Sequence, residues 1–244
     1  MTEEEIQEIH DICADIAVKI ENYTINEDGT VDVDGDVDLE GGGWFGMPFR
    51  FGKVNGNFNC ADNDLTSLEG TPHTVTGIFN CEENKLTSLE GGPTNVGESY
   101  FCGGNELTTL KGSPKELYNF DCHDNKLTTL EHCPEIIRRG FNCGENKLTT
   151  LKYIPKVIGK LFNCSFNFIY DLDGYDTDLE CRLFINNNPI STIFTDAKPD
   201  FIQAFNVYKV VKDKTINFKR LRYVMELFDK RIILTDIKQE YTII

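Results

Sequence analysis

The sequence is short of positive charge and of long apolar runs. It has 24 Lys and Arg residues against 40 Asp and Glu residues, which gives a formal net charge of −16. Such a surface repels nucleic acid and anionic membranes, and no apolar run approaches the ~20 residues of a membrane-spanning helix. We therefore predict no membrane and no nucleic-acid partner. The acidic, amphipathic N-terminus is unlike a secretory signal and predicts a cytoplasmic location.

Motifs of catalysis and of metal or phosphate binding are also missing. The glycine run 41–43 precedes Trp44 but lacks the Lys-Ser/Thr pair that follows in a phosphate-binding loop. None of the histidines belongs to an HExxH motif or to a Cys-His nucleophile pair. The histidines are His10, His73, His123 and His132. The sequence therefore predicts a protein that is not an enzyme, with no catalytic, cofactor-binding or metal-binding residues.

What the sequence does contain is a unit that recurs every 20 or 21 residues. In each copy an aromatic residue stands two positions before a cysteine, Asn stands three positions after it, and Leu or Ile stands five and eight positions after it. The cysteines are Cys60, Cys81, Cys102, Cys122, Cys143 and Cys164. This period and pattern are the signature of a leucine-rich repeat. They predict an α/β solenoid of about seven rungs of 20–21 residues with a parallel concave sheet.

The aromatic residue and the cysteine of each copy alternate, so both point to the inward face of a short strand. A linear ladder of cysteines does not converge on a tetrahedral zinc ion, and parallel side chains do not point at each other as a disulfide requires. We predict that the ladder cysteines are core residues, with metal or redox chemistry as the alternative. The Asn side chain is predicted to turn inward and to bond the backbone of neighbouring loops.

The chain divides into three segments. Thr2 and Glu5 form a capping box ahead of an apolar stripe that ends at Ile20, which predicts an N-terminal helix, either a cap or a dimerisation helix. Apolar residues at helical spacing after Pro199 and from Phe218 predict two C-terminal helices. The predicted segments are 1–50, an N-terminal cap with strands in residues 23–39; 51–193, the leucine-rich repeats; and 194–244, a helical C-terminal cap.

The spelling G-x-F-x-C-x-x-N-x-L-T-S-L-x-G-x-P resembles the short bacterial leucine-rich repeats of secreted effectors. It is more closely similar to repeat proteins encoded by large tailed bacteriophages. VNGNFNCADNDLTSLEGTP and VTGIFNCEENKLTSLEGGP carry this resemblance, which covers residues 51–193. The resemblance implies a scaffold for protein binding and, for a phage protein, the host bacterial cytoplasm. Some secreted effectors add a ubiquitin-ligase domain, but the residues after 193 are too few to form it.

The outward residues of the predicted concave sheet form the first candidate binding surface, because exposed aromatics ringed by polar side chains are typical of binding hot spots. It comprises Asn59, Asp62, Asn80, Glu82, Glu83, Phe101, Asp121, His123, Asp124, Asn142, Glu145, Asn163, Phe166 and Phe184. His123 is interpreted as part of a surface cluster with Asp121 and Asp124, and Phe184 as exposed or folded over the last rung.

Secondary candidates for partner binding lie in the two end segments. Trp44 is either tucked against the first rung or presented to a partner. The basic residues of the last predicted helix are interpreted as a solvated face, or as an intramolecular complement to the acidic sheet, rather than as a nucleic-acid site. They are Lys219, Arg220 and Arg222.

These features predict a non-catalytic protein-binding module, an inhibitor or adaptor encoded by a phage that acts on a host protein through the acidic concave face. One alternative is a structural or virion-associated module that assembles with copies of itself. Another is an acidic decoy that mimics nucleic acid. The partner, host or phage protein, is not identified by the sequence, and both a monomer and a dimer are compatible with it.

Overall fold

A computed structural model describes residues 2–14, 20, 22–175, 179, 181–193, 199–212, 214–228, 230, 237 and 241–244. Its helices are α1 (Glu3–Ala14), α2 (Pro199–Val207) and α3 (Phe218–Leu227), with a 3₁₀ helix at Pro189–Thr192. Its strands are β1 (Tyr23–Ile25), β2 (Val31–Val33), β3 (Val37–Asp38), β4 (Phe51–Val54), β5 (Phe58–Asn59), β6 (Thr74–Val75), β7 (Phe79–Asn80), β8 (Asn95–Val96), β9 (Ser99–Phe101), β10 (Glu116–Asp121), β11 (Ile136–Asn142), β12 (Val157–Ile158), β13 (Leu161–Asn163), β14 (Arg182–Phe184), β15 (Val211–Lys212), β16 (Thr215–Ile216) and β17 (Thr242–Ile243).

The repeats wind into a parallel β-solenoid of about seven turns with few helices. Sheet B runs in the order β14-β13-β11-β10-β9-β7-β5-β3 and contains the aromatic-x-Cys segments. Sheet A runs in the order β1-β2-β4-β6-β8 and, as far as β8, contains the segment that precedes them in each turn. The solenoid and the parallel sheet predicted from the period are therefore confirmed. Sheet A was not predicted.

An aromatic stack fills the centre of the solenoid. Phe141 has no exposed surface. Its ring stacks on Phe120 with centroids 5.9 Å apart and on Phe162 with centroids 5.2 Å apart. Because parallel pairing places the same repeat position of each rung beside its neighbour, the stack continues through Phe58, Phe79 and Tyr100.

The asparagine side chain of each repeat forms hydrogen bonds to the backbone of its own rung and of the preceding rung, as predicted. Nδ2 of Asn125 donates to the carbonyls of Cys102, Cys122 and His123 at 3.0, 3.2 and 3.0 Å. Its Oδ1 accepts the backbone N–H of Leu107 at 2.9 Å. The same pattern recurs at Asn84, Asn105, Asn146, Asn167 and Asn188. Each amide therefore satisfies buried backbone groups of two successive rungs.

The six ladder cysteines are buried free thiols, which confirms their prediction as core residues. Where a ladder thiol donates a hydrogen bond to the backbone, the acceptor is a carbonyl of the next rung. Cys102 Sγ, for example, donates to the Asp121 carbonyl oxygen at 3.2 Å. Burial raises the pKa of these thiols well above its usual value. The thiolate that would attack an electrophile is therefore suppressed.

We expect the ladder thiols to resist alkylation by iodoacetamide in the native protein and to react once it is unfolded, because access and ionisation are both blocked by burial. Mass spectrometry of the peptides that contain Cys102 and Cys143, after labelling with and without denaturant, measures this. Partly buried Cys133 is the internal comparison. Rapid native labelling of the ladder would contradict their position in the core.

The solenoid begins within the segment predicted as the N-terminal cap. Strand β2 pairs with β4 in sheet A, and β3 pairs with β5 in sheet B, both in parallel. Trp44 takes the place of the first repeat leucine, since its backbone N–H donates to Asn63 Oδ1 at 2.9 Å, just as Leu65 donates to Asn84 Oδ1. Val37 and Leu39 stand 21 residues before Phe58 and Cys60, at the repeat spacing, so these residues form a degenerate first rung and the repeat architecture starts before residue 51.

Helices flank the solenoid in sequence. The predicted capping box is present: the backbone N–H of Thr2 donates to Glu5 Oε2 at 2.7 Å, and that of Glu5 donates to Thr2 Oγ1 at 3.2 Å. At the other end Nδ2 of Asn206 donates to the Leu172 carbonyl at 3.2 Å, so α2 contacts the last turns. Ile16 of the predicted apolar stripe lies outside the described residues.

Among the described residues, none of the helices has the length and apolar character needed to cross a bilayer.

One turn of the solenoid is a residue short. The step from Cys102 to Cys122 is 20 residues, where the other ladder steps are 21. In this turn the chain does not bend between the segment that corresponds to sheet A and the aromatic segment, so β10 contains both. The second half of β10 pairs with β9 in sheet B. Among the described residues no strand continues sheet A beyond β8. The missing residue therefore interrupts sheet A between β8 and β10.

Tyr100 is the one tyrosine among the aromatic ladder positions from Phe58 to Phe162. Its hydroxyl is buried and makes no hydrogen bond of ordinary geometry in the part of the chain that the structure describes; the thiol of Cys81, a weak hydrogen-bonding group, is the polar group that faces it. The chain makes room for it at Gly92, where a Cβ atom would lie 2.9 Å from the hydroxyl oxygen. A buried polar group without a partner destabilises the fold.

Replacing Tyr100 with Phe should therefore raise the free energy of unfolding by about 1 kcal/mol, since it removes the unpaired hydroxyl and keeps the ring. Urea denaturation followed by circular dichroism measures the change. The matched control is Tyr118→Phe, because Tyr118 is 47% exposed and its hydroxyl can bond to water. A loss of stability in Tyr100→Phe would show that the hydroxyl has a stabilising partner.

Candidate functional site

The predicted concave-face residues share one surface of the solenoid, the outward side of sheet B and its adjoining corner. We call this set of fourteen residues, from Asn59 to Phe184, the outer B face. Its centre is a chain of polar side chains that crosses three rungs. Nδ2 of Asn163 donates to Asn142 Oδ1 at 2.9 Å, and Nδ2 of Asn142 donates to Asp121 Oδ2 at 3.1 Å. These bonds fix the orientation of the outward side chains.

The polar surface extends further towards the N-terminus than predicted. Nδ2 of Asn59 donates to Asp38 Oδ1 at 3.1 Å and to Glu40 Oε2 at 2.7 Å. Both carboxylates belong to the degenerate first rung and were not among the predicted site residues. The signal that could have found them is Val37, which occupies the repeat's aromatic position and pairs with Phe58.

The second residue after each ladder cysteine, and after Ile185 in the equivalent slot of the last rung, turns the corner at the edge of the outer B face. These residues have left-handed backbone conformations, with φ between 47° and 57° for the non-glycine ones. They are Asp62, Glu83, Asp124, Glu145, Phe166 and Asn187. Because the conformation recurs in rung after rung, it belongs to the solenoid corner, where it leaves these side chains exposed. Gly104 takes the same position with a φ of 63°.

Glu82, Asp121 and His123 form a compact cluster near the middle of this surface. One ligand atom from each side chain lies within 4.8 Å of the others. Nδ1 of His123 lies 2.8 Å from Asp121 Oδ1, which also accepts the His123 backbone N–H at 3.0 Å. All three side chains are half-buried. Asp121 is therefore the link between the cluster and the amide chain of Asn142.

The cluster shifts the protonation of its members. Partial burial alone would lower the pKa of the His123 imidazole, but the hydrogen bond and charge of Asp121, with help from Glu82 and Glu145, raise it above the usual value. Burial first, and then the charge of Asp121, raise the pKa of the Glu82 carboxyl. The neighbouring carboxylates therefore favour the protonated form of His123.

An open groove of about 350 Å³ lies beside the cluster. Phe166 is 56% exposed at its edge, while Phe184 is half-buried, and so is Phe101 at its place on sheet B. Of the three predicted aromatics, only Phe166 is thus an exposed anchor. The groove is lined by His123, Asn142, Gly144, Glu145, Leu161, Asn163, Ser165, Phe166 and Phe184. Leu161 was not predicted.

The acids of the outer B face have no Lys or Arg ion-pair partner in the described part of the chain, although the Arg182 guanidinium lies over the Phe184 ring, 4.7 Å from its centroid. Elsewhere on the solenoid, Lys and Arg pair with acids of the adjacent rung, as in Lys126 with Glu106 at 2.9 Å and Lys156 with Glu135 at 2.6 Å. Among the described residues no ion pair joins a Lys or Arg to an acid of the outer B face. This surface can therefore attract a basic partner.

The secondary candidates are not part of this surface. Trp44 is half-buried and packs against the core. This agrees with the interpretation that Trp44 packs against the first rung rather than with its presentation to a partner. Its exposed neighbour Phe45 was missed by the sequence analysis. On α3, Arg222 Nε donates to Glu226 Oε1 at 2.8 Å. Lys219 and Arg220 are exposed. In the described residues no hydrogen bond or ion pair connects the basic residues of α3 to the outer B face.

A larger groove, of about 670 Å³, lies where sheet A is interrupted. It is lined by residues of β6, β8 and the start of β10, including exposed Tyr118. This groove was not predicted from the sequence. The feature of the sequence that could have indicated this groove is the 20-residue step between Cys102 and Cys122.

No protein-family model and no curated protein matches this chain. The function is therefore inferred from the geometry described above.

Proposed function

We propose that this protein is a non-catalytic binding module that engages a basic region of a partner protein through the outer B face. The observation that carries the proposal is the combination of an acidic surface without Lys or Arg partners and a groove with an exposed aromatic side chain at its edge. Interfaces typically place an aromatic anchor beside a desolvated pocket. Complementary charge around the anchor speeds association and selects the partner.

The proposal also covers the class of the repeats and the role of the helices at either end of the solenoid. We infer a leucine-rich repeat solenoid of the short bacterial and tailed-bacteriophage type, with α1 and the C-terminal helices as caps over its two ends. Solenoids need such caps because terminal rungs expose core and unpaired strand edges. An inhibitor or adaptor that acts on a protein in the host bacterial cytoplasm fits a rigid scaffold whose chemistry is confined to one surface.

A pair of phenylalanines allows a matched test. Phe166 and Phe168 are in the same rung and are 56% and 53% exposed, but only Phe166 lines the groove. The full chain, with Phe166→Asn or Phe168→Asn, is immobilised and used to capture proteins from a bacterial lysate. Asn suits the left-handed backbone at residue 166 and occurs in the same slot at Asn187, so neither change should unfold the protein.

We expect the wild type and Phe168→Asn to retain the same protein, and Phe166→Asn to retain at least tenfold less of it, because the anchor is lost. Circular dichroism melting of all three chains checks that the fold is unchanged. Equal retention by both variants would contradict binding through the groove.

A further inference from the structure

The strongest unassigned feature of the molecule is the half-buried set of Glu82, Asp121 and His123. It offers one imidazole nitrogen and two carboxylate groups, with one ligand atom of each within 4.8 Å of the others. Imidazole together with carboxylate is a donor set that suits first-row divalent ions such as Zn²⁺. Ca²⁺ and Mg²⁺ prefer ligands made of oxygen alone.

The solenoid builds a space for this set at Gly103. Glu82 and His123 follow ladder cysteines two rungs apart, and Gly103 is the equivalent residue of the rung between them. A Cβ atom on Gly103 would collide with the imidazole of His123 and lie 3.2 Å from Glu82 Oε1. The same slot holds Ala61 and Ser165 in other rungs, so the fold accepts a side chain there. Its absence at Gly103 lets Glu82 and His123 approach each other.

Two hydrogen bonds from groups other than the three ligand side chains also orient the carboxylate of Asp121. Nδ2 of Asn142 donates to Asp121 Oδ2 at 3.1 Å, and Asp121 Oδ1 accepts the backbone N–H of His123 at 3.0 Å. Such outer bonds hold metal ligands in place and increase the affinity. The site is open to solvent on the side away from the sheet, so water can complete the coordination sphere, as it does in sites with three protein ligands.

We propose that Glu82, Asp121 and His123 bind one divalent transition-metal ion, with Zn²⁺ as the representative ion. Bonds of about 2.0–2.2 Å to each ligand would require Glu82 to move slightly towards the other two ligands, and the ion would replace the hydrogen bond between His123 Nδ1 and Asp121 Oδ1, with release of its proton. The half-buried Glu82 has the rotatable bonds to do so. The site lies on the outer B face, but the proposal does not depend on a protein partner.

The test is titration of the metal-stripped full chain with Zn²⁺ under reducing conditions, by isothermal calorimetry. We expect one ion per chain, and at least a tenfold loss of affinity in His123→Asn and in Glu82→Gln. Asp62→Asn removes a carboxylate of the same surface outside the set and should bind as the wild type does. Ca²⁺ should not compete at equal concentration.

Gly103→Ala provides a test that leaves all three ligands in place. Its added methyl group should displace His123 and weaken Zn²⁺ binding at least tenfold, with the melting temperature measured in parallel. Gly46→Ala, whose added methyl group would meet no atom within 4 Å, is the control that should bind normally. Absence of binding by the wild type, or unchanged binding in His123→Asn, would overturn the proposal. The latter result would assign the ion to thiols or to scattered carboxylates.

Discussion

Replacing Phe141 with Ala should lower the free energy of unfolding by about 3–5 kcal/mol. The ring is fully buried and lies between Phe120 and Phe162 in the central stack. The neighbouring rungs are joined by parallel backbone hydrogen bonds, so they cannot collapse into the space that the ring leaves. The loss therefore includes both the transfer of the ring to water and the cavity that remains.

Urea denaturation followed by circular dichroism measures this effect. Phe168→Ala is the matched control, since that ring is 53% exposed and its removal should change stability by less than about 0.5 kcal/mol. A loss below about 1 kcal/mol in Phe141→Ala would be too small for a buried ring. That result would contradict the aromatic stack as the core of the solenoid.

Replacing Asn125 with Ala should lower the free energy of unfolding by about 2–4 kcal/mol. The change removes three side-chain donations to the carbonyls of two rungs and leaves the backbone N–H of Leu107 without its acceptor. Leu107 is fully buried, so water cannot replace the lost bond. An unsatisfied buried donor alone costs about 1–3 kcal/mol.

The control for this change is the next residue. Lys126 is exposed and makes a surface ion pair with Glu106, so Lys126→Ala should cost less than about 1 kcal/mol. If Asn125→Ala unfolds at the same urea concentration as Lys126→Ala, the asparagine ladder does not stabilise the rungs as the geometry requires.

The repeat register could be predicted because several copies of one pattern reinforce each other. The aromatic, Cys, Asn and Leu slots are the same in nearly every turn, and these slots form sheet B, the amide ladder and the core. Sheet A escaped prediction because its segment repeats a single buried apolar position, at Val54, Val75 and Val96, whereas the sheet B segment repeats an aromatic residue together with a cysteine. One apolar position per turn does not show the alternation of a strand.

The site was predicted less completely than the fold. The outward positions of the outer B face follow from alternation, but the exposure of an aromatic side chain depends on what the adjacent rungs contribute. Phe101 and Phe184 are half-buried and Phe166 is exposed, although the three residues have the same predicted role. The cluster of Glu82 with His123 has no sequence motif, because only the stacking of rungs brings together residues 41 positions apart.

The most direct measurement of the central claim is the affinity of the captured partner for two charge variants of the full chain. Asp124→Lys with Glu145→Lys reverses two exposed charges of the outer B face on adjacent rungs. Lys219→Ala with Arg220→Ala and Arg222→Ala removes the basic residues of α3. We predict that the first variant binds at least tenfold more weakly by surface plasmon resonance and that the second binds as the wild type does. Normal binding by the first variant and lost binding by the second would contradict the claim, because they would place the interface on the C-terminal helix.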